Sequence, residues 1–156
     1  MLRHDQIHLG MRLRATRKAE TVEGTVRGLQ LRECSTPEGN REDCAGVLLE
    51  CTGPDGERLA TAVSTHDDLT ILDAPVDQAP LPFWYTDFRL GRKAKTAFES
   101  KFTGNHVEGT GTISALYAAT HKTTGAMGIA VTIINPEDET KYETTHLETT
   151  LLPEAV

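Results

Sequence analysis

The sequence predicts an all-β protein of two small tandem domains, on three observations: strand-period stretches bounded by turn chemistry, abundant threonine without helical periodicity, and an internal duplication. Five blocks recur in one order. Gly46-Val47-Leu48-Leu49-Glu50-Cys51 matches Gly128-Ile129-Ala130-Val131-Thr132-Ile133, and Pro54 matches Pro136, both offset by 82 (128 − 46, 136 − 54). Leu9-Gly10-Met11-Arg12-Leu13-Arg14 matches Leu90-Gly91-Arg92-Lys93-Ala94-Lys95, and Gly24-Thr25-Val26 matches Gly111-Thr112-Ile113. Thr65-His66 matches Thr145-His146 near each end. Two copies of this length are too long for a solenoid unit and fit two small domains. Residues kept in both copies are read as scaffold, and residues found in one copy as sites of divergence.

Each element has a local reason. The start, with His4 and His8, is expected to be exposed and flexible rather than a helical metal chelate, because a strand begins almost at once. Met11, Leu13 and Ala15 alternate with Arg12 and Arg14, the period of a half-buried strand. Ser35 to Asp43 and Thr120 to Gly125 read as polar loops between a second and a third strand. Val47, Leu49 and Cys51, like Ile129, Val131 and Ile133, are predicted to face the core, with the even positions outward. Gly53-Pro54-Asp55-Gly56 and Asn135-Pro136-Glu137-Asp138 are turn chemistry, since Pro presets φ and Gly, Asn or Asp tolerates the bend. Thr65-x-x-Asp68 and Thr145-x-x-Glu148 have the form of capping boxes, each expected to start a single 3₁₀ turn before a last strand at residues 70–72 and 150–152.

This order of strand, loop, three-strand meander, 3₁₀ turn and short strand resembles the SH3-like small barrels, including Tudor-like domains. The resemblance covers nearly the whole chain, twice, and it is architectural. It implies two tandem barrels, residues 1–74 and 89–156, joined by a Pro- and aromatic-rich connector, 75–88. Methyl-lysine cages need several converging rings, and here Tyr117 and Tyr142 occur in the second copy only, against Gln30 and Ala60. SH3 peptide sites present aromatic runs after the first strand, where this chain has Phe98 and Phe102. Neither specialised activity transfers.

Composition bounds the function. Net charge is −7, which disfavours nucleic-acid binding through the whole surface. The excess acid belongs to the first copy and the connector. Cys34, Cys44 and Cys51 fit no zinc spacing. Cys51 reads as a small buried hydrophobe. Cys34 and Cys44 could face one another across a hairpin, but an odd count and no secretion signal favour free thiols. No apolar run approaches a membrane span, so a soluble chain, cytoplasmic or virion-associated, is expected.

Histidines are the natural start for an enzyme reading, but His66 and His146 read as turn residues, and His106 and His121 are expected to be single-copy loop residues with no partner. Gly109-Thr110-Gly111-Thr112 precedes a strand, whereas a phosphate loop requires a helix behind it; a bulge or tight bend is the expectation. No catalytic residue, cofactor or metal is predicted.

Two features remain as binding candidates. Arg12 and Arg14, repeated as Lys93 and Lys95, form a basic outer face, which guards a strand edge or contacts an acidic partner or nucleic acid. Phe83, Trp84, Tyr85 and Phe88 crowd four aromatics into the connector, as glue between the copies or as an exposed anchor, with glue favoured. The expected function is non-catalytic binding or assembly with a protein partner, as in a virion component or a small phage or bacterial accessory protein. A nucleic-acid module using the basic face is the alternative, and a small-ligand binder in the cleft between copies is the third.

Overall fold

The computed structural model describes residues 2–72, 83–120, 123–124 and 126–154, with the side chains of Phe83, Trp84 and Thr120 outside that description. The first copy holds β1 (Arg12–Arg17), β2 (Glu20–Ser35), β3 (Arg41–Thr52), β4 (Arg58–Ser64) and β5 (Asp68–Leu72). The second holds β6 (Lys93–Glu99), β7 (His106–Thr120), β8 (Met127–Ile134), β9 (Lys141–Thr145) and β10 (Thr149–Leu151). One five-residue helix, α1 (Phe83–Asp87), precedes β6, and 3₁₀ turns lie at His4–Gln6 and His146–Glu148.

All described ladders are antiparallel. Within the copies the strand orders are β5-β1-β2-β3-β4 and β10-β6-β7-β8-β9. Pairing of β2 with β7 fuses the copies into one open ten-stranded sheet. Among the described residues β4 and β5 share no ladder, nor do β9 and β10, so neither copy closes through hydrogen bonds.

The duplication holds in detail. Gly10 and Gly91 both take positive φ (81° and 85°), each donating its N–H at 2.9 Å, to the carbonyls of Val26 and Ile113 respectively. Register shifts fall at equivalent places, between Val26 and Gly28 in β2 and between Ile113 and Ala115 in β7. These bulges let each long strand leave one neighbour and take up another. The copies meet at equivalent residues: Leu29 opposes Leu116, Gly28 opposes Tyr117 and Gln30 opposes Ala115. Such self-complementary pairing is that of a two-fold interface, here within one chain.

One alignment needs correction by two residues. Leu29 pairs with Val47 and Leu116 with Val131, so Val47 corresponds to Val131, not to Ile129. The buried runs are therefore Ala45, Val47 and Leu49 against Ile129, Val131 and Ile133, and Cys51 is only half-buried. A slip of two keeps every side chain on its own face, which is why alternation alone could not expose it.

The histidine match slips too. Thr65 Oγ1 accepts the Ala45 N–H at 3.0 Å, and His146 Nδ1 accepts the Ile129 N–H at 3.1 Å, so His146 stands where Thr65 stands. Neither predicted capping box forms. Thr145 precedes its 3₁₀ turn with no side-chain cap. In the first copy the bend is closed one residue earlier, where the Ser64 N–H donates to Asp67 Oδ2 at 2.8 Å.

Two further expectations are overturned. Cys34 and Cys44 form a disulfide. Cys34 opposes Glu42 and Cys44 opposes Arg32 in the β2–β3 ladder, so the cysteines are diagonal neighbours on one face, with a Cα separation of 6.0 Å that suits the bond. The start of the chain is not a loose arm either: Ile7 and Leu9 are fully buried. They correspond to Phe88 and Leu90 of the second copy, also buried, and all four join one hydrophobic cluster that spans both copies. Arg89 ties the two arms, its Nη1 donating to the Asp5 carbonyl (3.0 Å) and its Nε to the Thr86 carbonyl (2.7 Å).

Candidate functional site

Where β2 meets β7, the outward face of the sheet is nearly stripped of side chains. Gly28 and Ala115 occupy equivalent positions across the seam, as do Gly46 and Ala130, and Ala62 extends the floor. The result is an open apolar groove of about 370 Å³ built from both copies. Leu48 and Tyr117 wall it, and the Tyr117 ring lies so close to Gly28 that an added Cβ would touch its Cδ2 at 3.3 Å. That ring is 52% exposed. At one end the Arg32 guanidinium covers Gly46 and donates to Gln30 Oε1 at 3.2 Å. The groove thus offers apolar floor, one phenol and one cation.

The predicted basic faces lie elsewhere. Arg14, Lys93 and Lys95 are exposed and Arg12 half-buried, on strands β1 and β6, which β7 and β2 separate in sheet order. Arg14 is countered by its cross-strand partner Glu23, Nε to Oε1 at 2.7 Å. The aromatic candidates divide. Tyr85 and Phe88 are 1% and 5% exposed, inside the hydrophobic cluster that both copies share. The side chains of Phe83 and Trp84, and all of residues 73–82, which include the first part of the connector, lie outside the described residues.

Burial sets the titration of several groups. It pushes the Tyr85 phenol up, and it holds His8 and His146 below the ordinary histidine value. A hydrogen bond from Arg17 holds Asp67 below the usual carboxylate range. Cys34, Cys44 and His66 bring their possible metal-ligand atoms within 4.8 Å of one another. Gly109, expected at a bulge or bend, lies under the Tyr142 ring, and Gly111 lies against the Ile134 carbonyl.

The groove was missed in the sequence, though a signal existed. Small residues recur at outward positions of both copies, Gly28 with Ala115 and Gly46 with Ala130, where exposed strands ordinarily carry larger polar residues. Fold and site together define a class: an all-β, internally duplicated protein with a groove on its pseudo-two-fold seam. Comparison with protein-family models, with curated proteins and with solved structures finds no match. No described helix is long and apolar enough to cross a membrane.

Proposed function

We propose that this chain is a non-catalytic binding protein that takes a segment of a protein partner into the seam groove, each copy being an SH3-like unit. The SH3-like reading is supported by the β5-β1-β2-β3-β4 order and by a long bulged second strand shared between the first and the third. The observation that carries the binding reading is the exposed Gly/Ala floor walled by a half-exposed tyrosine. Pockets for small ligands enclose most of their guest. This groove is open along the sheet and favours an extended chain. Tyrosine and arginine, the two larger groups at its rim, are the residue types that dominate protein-interface energetics.

The test uses paired baits in a native-host extract. Ala62→Arg and Ala130→Arg each fill the groove from an exposed position, and circular dichroism checks that the fold is kept. The groove variants should lose a partner that the quadruple Arg12→Ala, Arg14→Ala, Lys93→Ala, Lys95→Ala variant retains. The opposite pattern would reject the groove. Titration with duplex and single-stranded DNA at two salt concentrations tests the alternative, and salt-dependent binding abolished by the quadruple variant would replace this reading.

A further inference from the structure

We propose that the first copy carries a redox-gated zinc site, formed by Cys34, Cys44 and His66 once the Cys34–Cys44 disulfide is reduced. Three independent elements deliver the ligands. Cys34 is the penultimate residue of β2, Cys44 lies in β3, and His66 hangs from the bend between β4 and β5. Their ligand atoms lie within 4.8 Å of one another.

The placement does not depend on the sulfur–sulfur bond. The β2–β3 ladder runs from Thr25 opposite Glu50 to Ser35 opposite Arg41 and sets the two cysteines diagonally on one face. The bend that carries His66 is pinned beside Cys44 through its neighbour. Thr65 is 3% exposed, its N–H donates to the Ala45 carbonyl at 3.0 Å, and its Oγ1 accepts the Ala45 N–H at 3.0 Å. The His66 N–H donates to Ser64 Oγ at 3.1 Å. His66 Nε2 lies 3.3 Å from Glu42 Oε1, which shares the cysteines' hairpin face. A ligating histidine whose second nitrogen is held by a carboxylate is the usual outer-shell arrangement of zinc sites. Two thiolates and an imidazole are a zinc donor set that leaves a fourth position for water.

The site belongs to one copy only. By the corrected register Cys44 corresponds to Gly128, Glu42 to Ala126 and His66 to Leu147, and Cys34 corresponds to His121 in sequence. The scaffold is kept in both copies while the ligand set is confined to the first.

The chemistry balances with a dithiol reductant. Two electrons and two protons pass from the dithiol to the Cys34–Cys44 bond, giving two thiols and a cyclic disulfide. Zn²⁺ then displaces one proton from each thiol. In the reverse direction a disulfide oxidant takes two electrons from the two thiolates and two protons from solvent, leaving as the dithiol, while the Cys34–Cys44 bond re-forms and Zn²⁺ is released.

The test is anaerobic Co²⁺ titration of the full chain in a Cys51→Ser background, oxidised and reduced. The reduced protein should develop the visible bands of tetrahedral thiolate-bound cobalt, bleached by one equivalent of Zn²⁺, and the oxidised protein none. Cys34→Ser or Cys44→Ser should abolish the bands. Glu42→Ala should weaken cobalt affinity by about 10–100-fold, and His66→Ala should weaken it and shift the bands. Zn²⁺ should raise the Tm of the reduced chain and leave that of the oxidised chain unchanged. The proposal is overturned if the reduced chain takes up no cobalt, if the bands survive loss of either cysteine, if His66→Ala alters neither band position nor affinity, or if Zn²⁺ shifts both redox states equally.

Discussion

Gly24 and Gly111 show what a single position can dictate. A Cβ on Gly24 would sit 2.7 Å from the Glu50 carbonyl oxygen, and one on Gly111 would collide with the Ile134 carbonyl. Both obstacles are backbone and cannot swing aside, so Gly24→Ala and Gly111→Ala should each cost roughly 1–3 kcal/mol in denaturant unfolding. Core truncation acts by another route. Leu49→Ala or Ile133→Ala, each removing a fully buried side chain, should cost about 2–5 kcal/mol through lost contacts and an unfilled cavity. Cys51→Ala, half-buried, should cost less than either. His146 supplies a pH dependence. Its folded pKa lies below its unfolded value because burial disfavours the charged ring. Stability from this source is therefore present above about pH 6.5 and lost as pH falls through the folded pKa. Thermal melts across that range should show a smaller acid loss in His146→Gln than in the parent. Part of the remainder belongs to His8, which burial shifts in the same direction.

At the scale of elements, the β2–β3 hairpin is the longest ladder and carries the disulfide at its far end. The bond closes a loop with a sequence separation of 10. Removing it by Cys34→Ser with Cys44→Ser should lower stability by about 2–3 kcal/mol in the chain-entropy picture. Because the ladder itself persists, the loss should appear in hydrogen exchange as faster opening of residues 31–45, with β7 and β8 unchanged. The bend before β5 and the 3₁₀ turn before β10 solve one problem in two ways, by Ser64 with Asp67 and by residues 146–148. Capping-box spacing was legible at both places. The hydrogen bonds went elsewhere because Thr65 Oγ1 was already engaged by the Ala45 N–H, and the Glu148 carboxylate accepts from the Thr144 hydroxyl at 3.4 Å.

For the whole molecule, the question is whether duplicated halves behave as two units. Their shared hydrophobic cluster, the β2–β7 ladder and the Arg89 bridge between the arms all cross the divide. Calorimetry should therefore show one transition, with a calorimetric to van't Hoff enthalpy ratio of about 1. Two resolved transitions would mean that the seam is weaker than the cores it joins. A fragment ending at Leu72 would lack Phe88, Leu90 and Leu116 from that cluster and should not fold cooperatively alone.

Strand identity, the β3–β4 and β8–β9 turns, the outward course of the basic pairs and the fact of duplication were determined by the sequence alone. Each rests on side-chain period, turn chemistry or local identity, which are properties of neighbouring residues. Only the tertiary structure decided the two-residue register, the equivalence of Thr65 with His146, the Cys34–Cys44 bond and the burial of Ile7 and Leu9. It alone decided the seam groove as well. All of these depend on which strand lies beside which, and an alternating pattern fixes the face of a strand without fixing its neighbour.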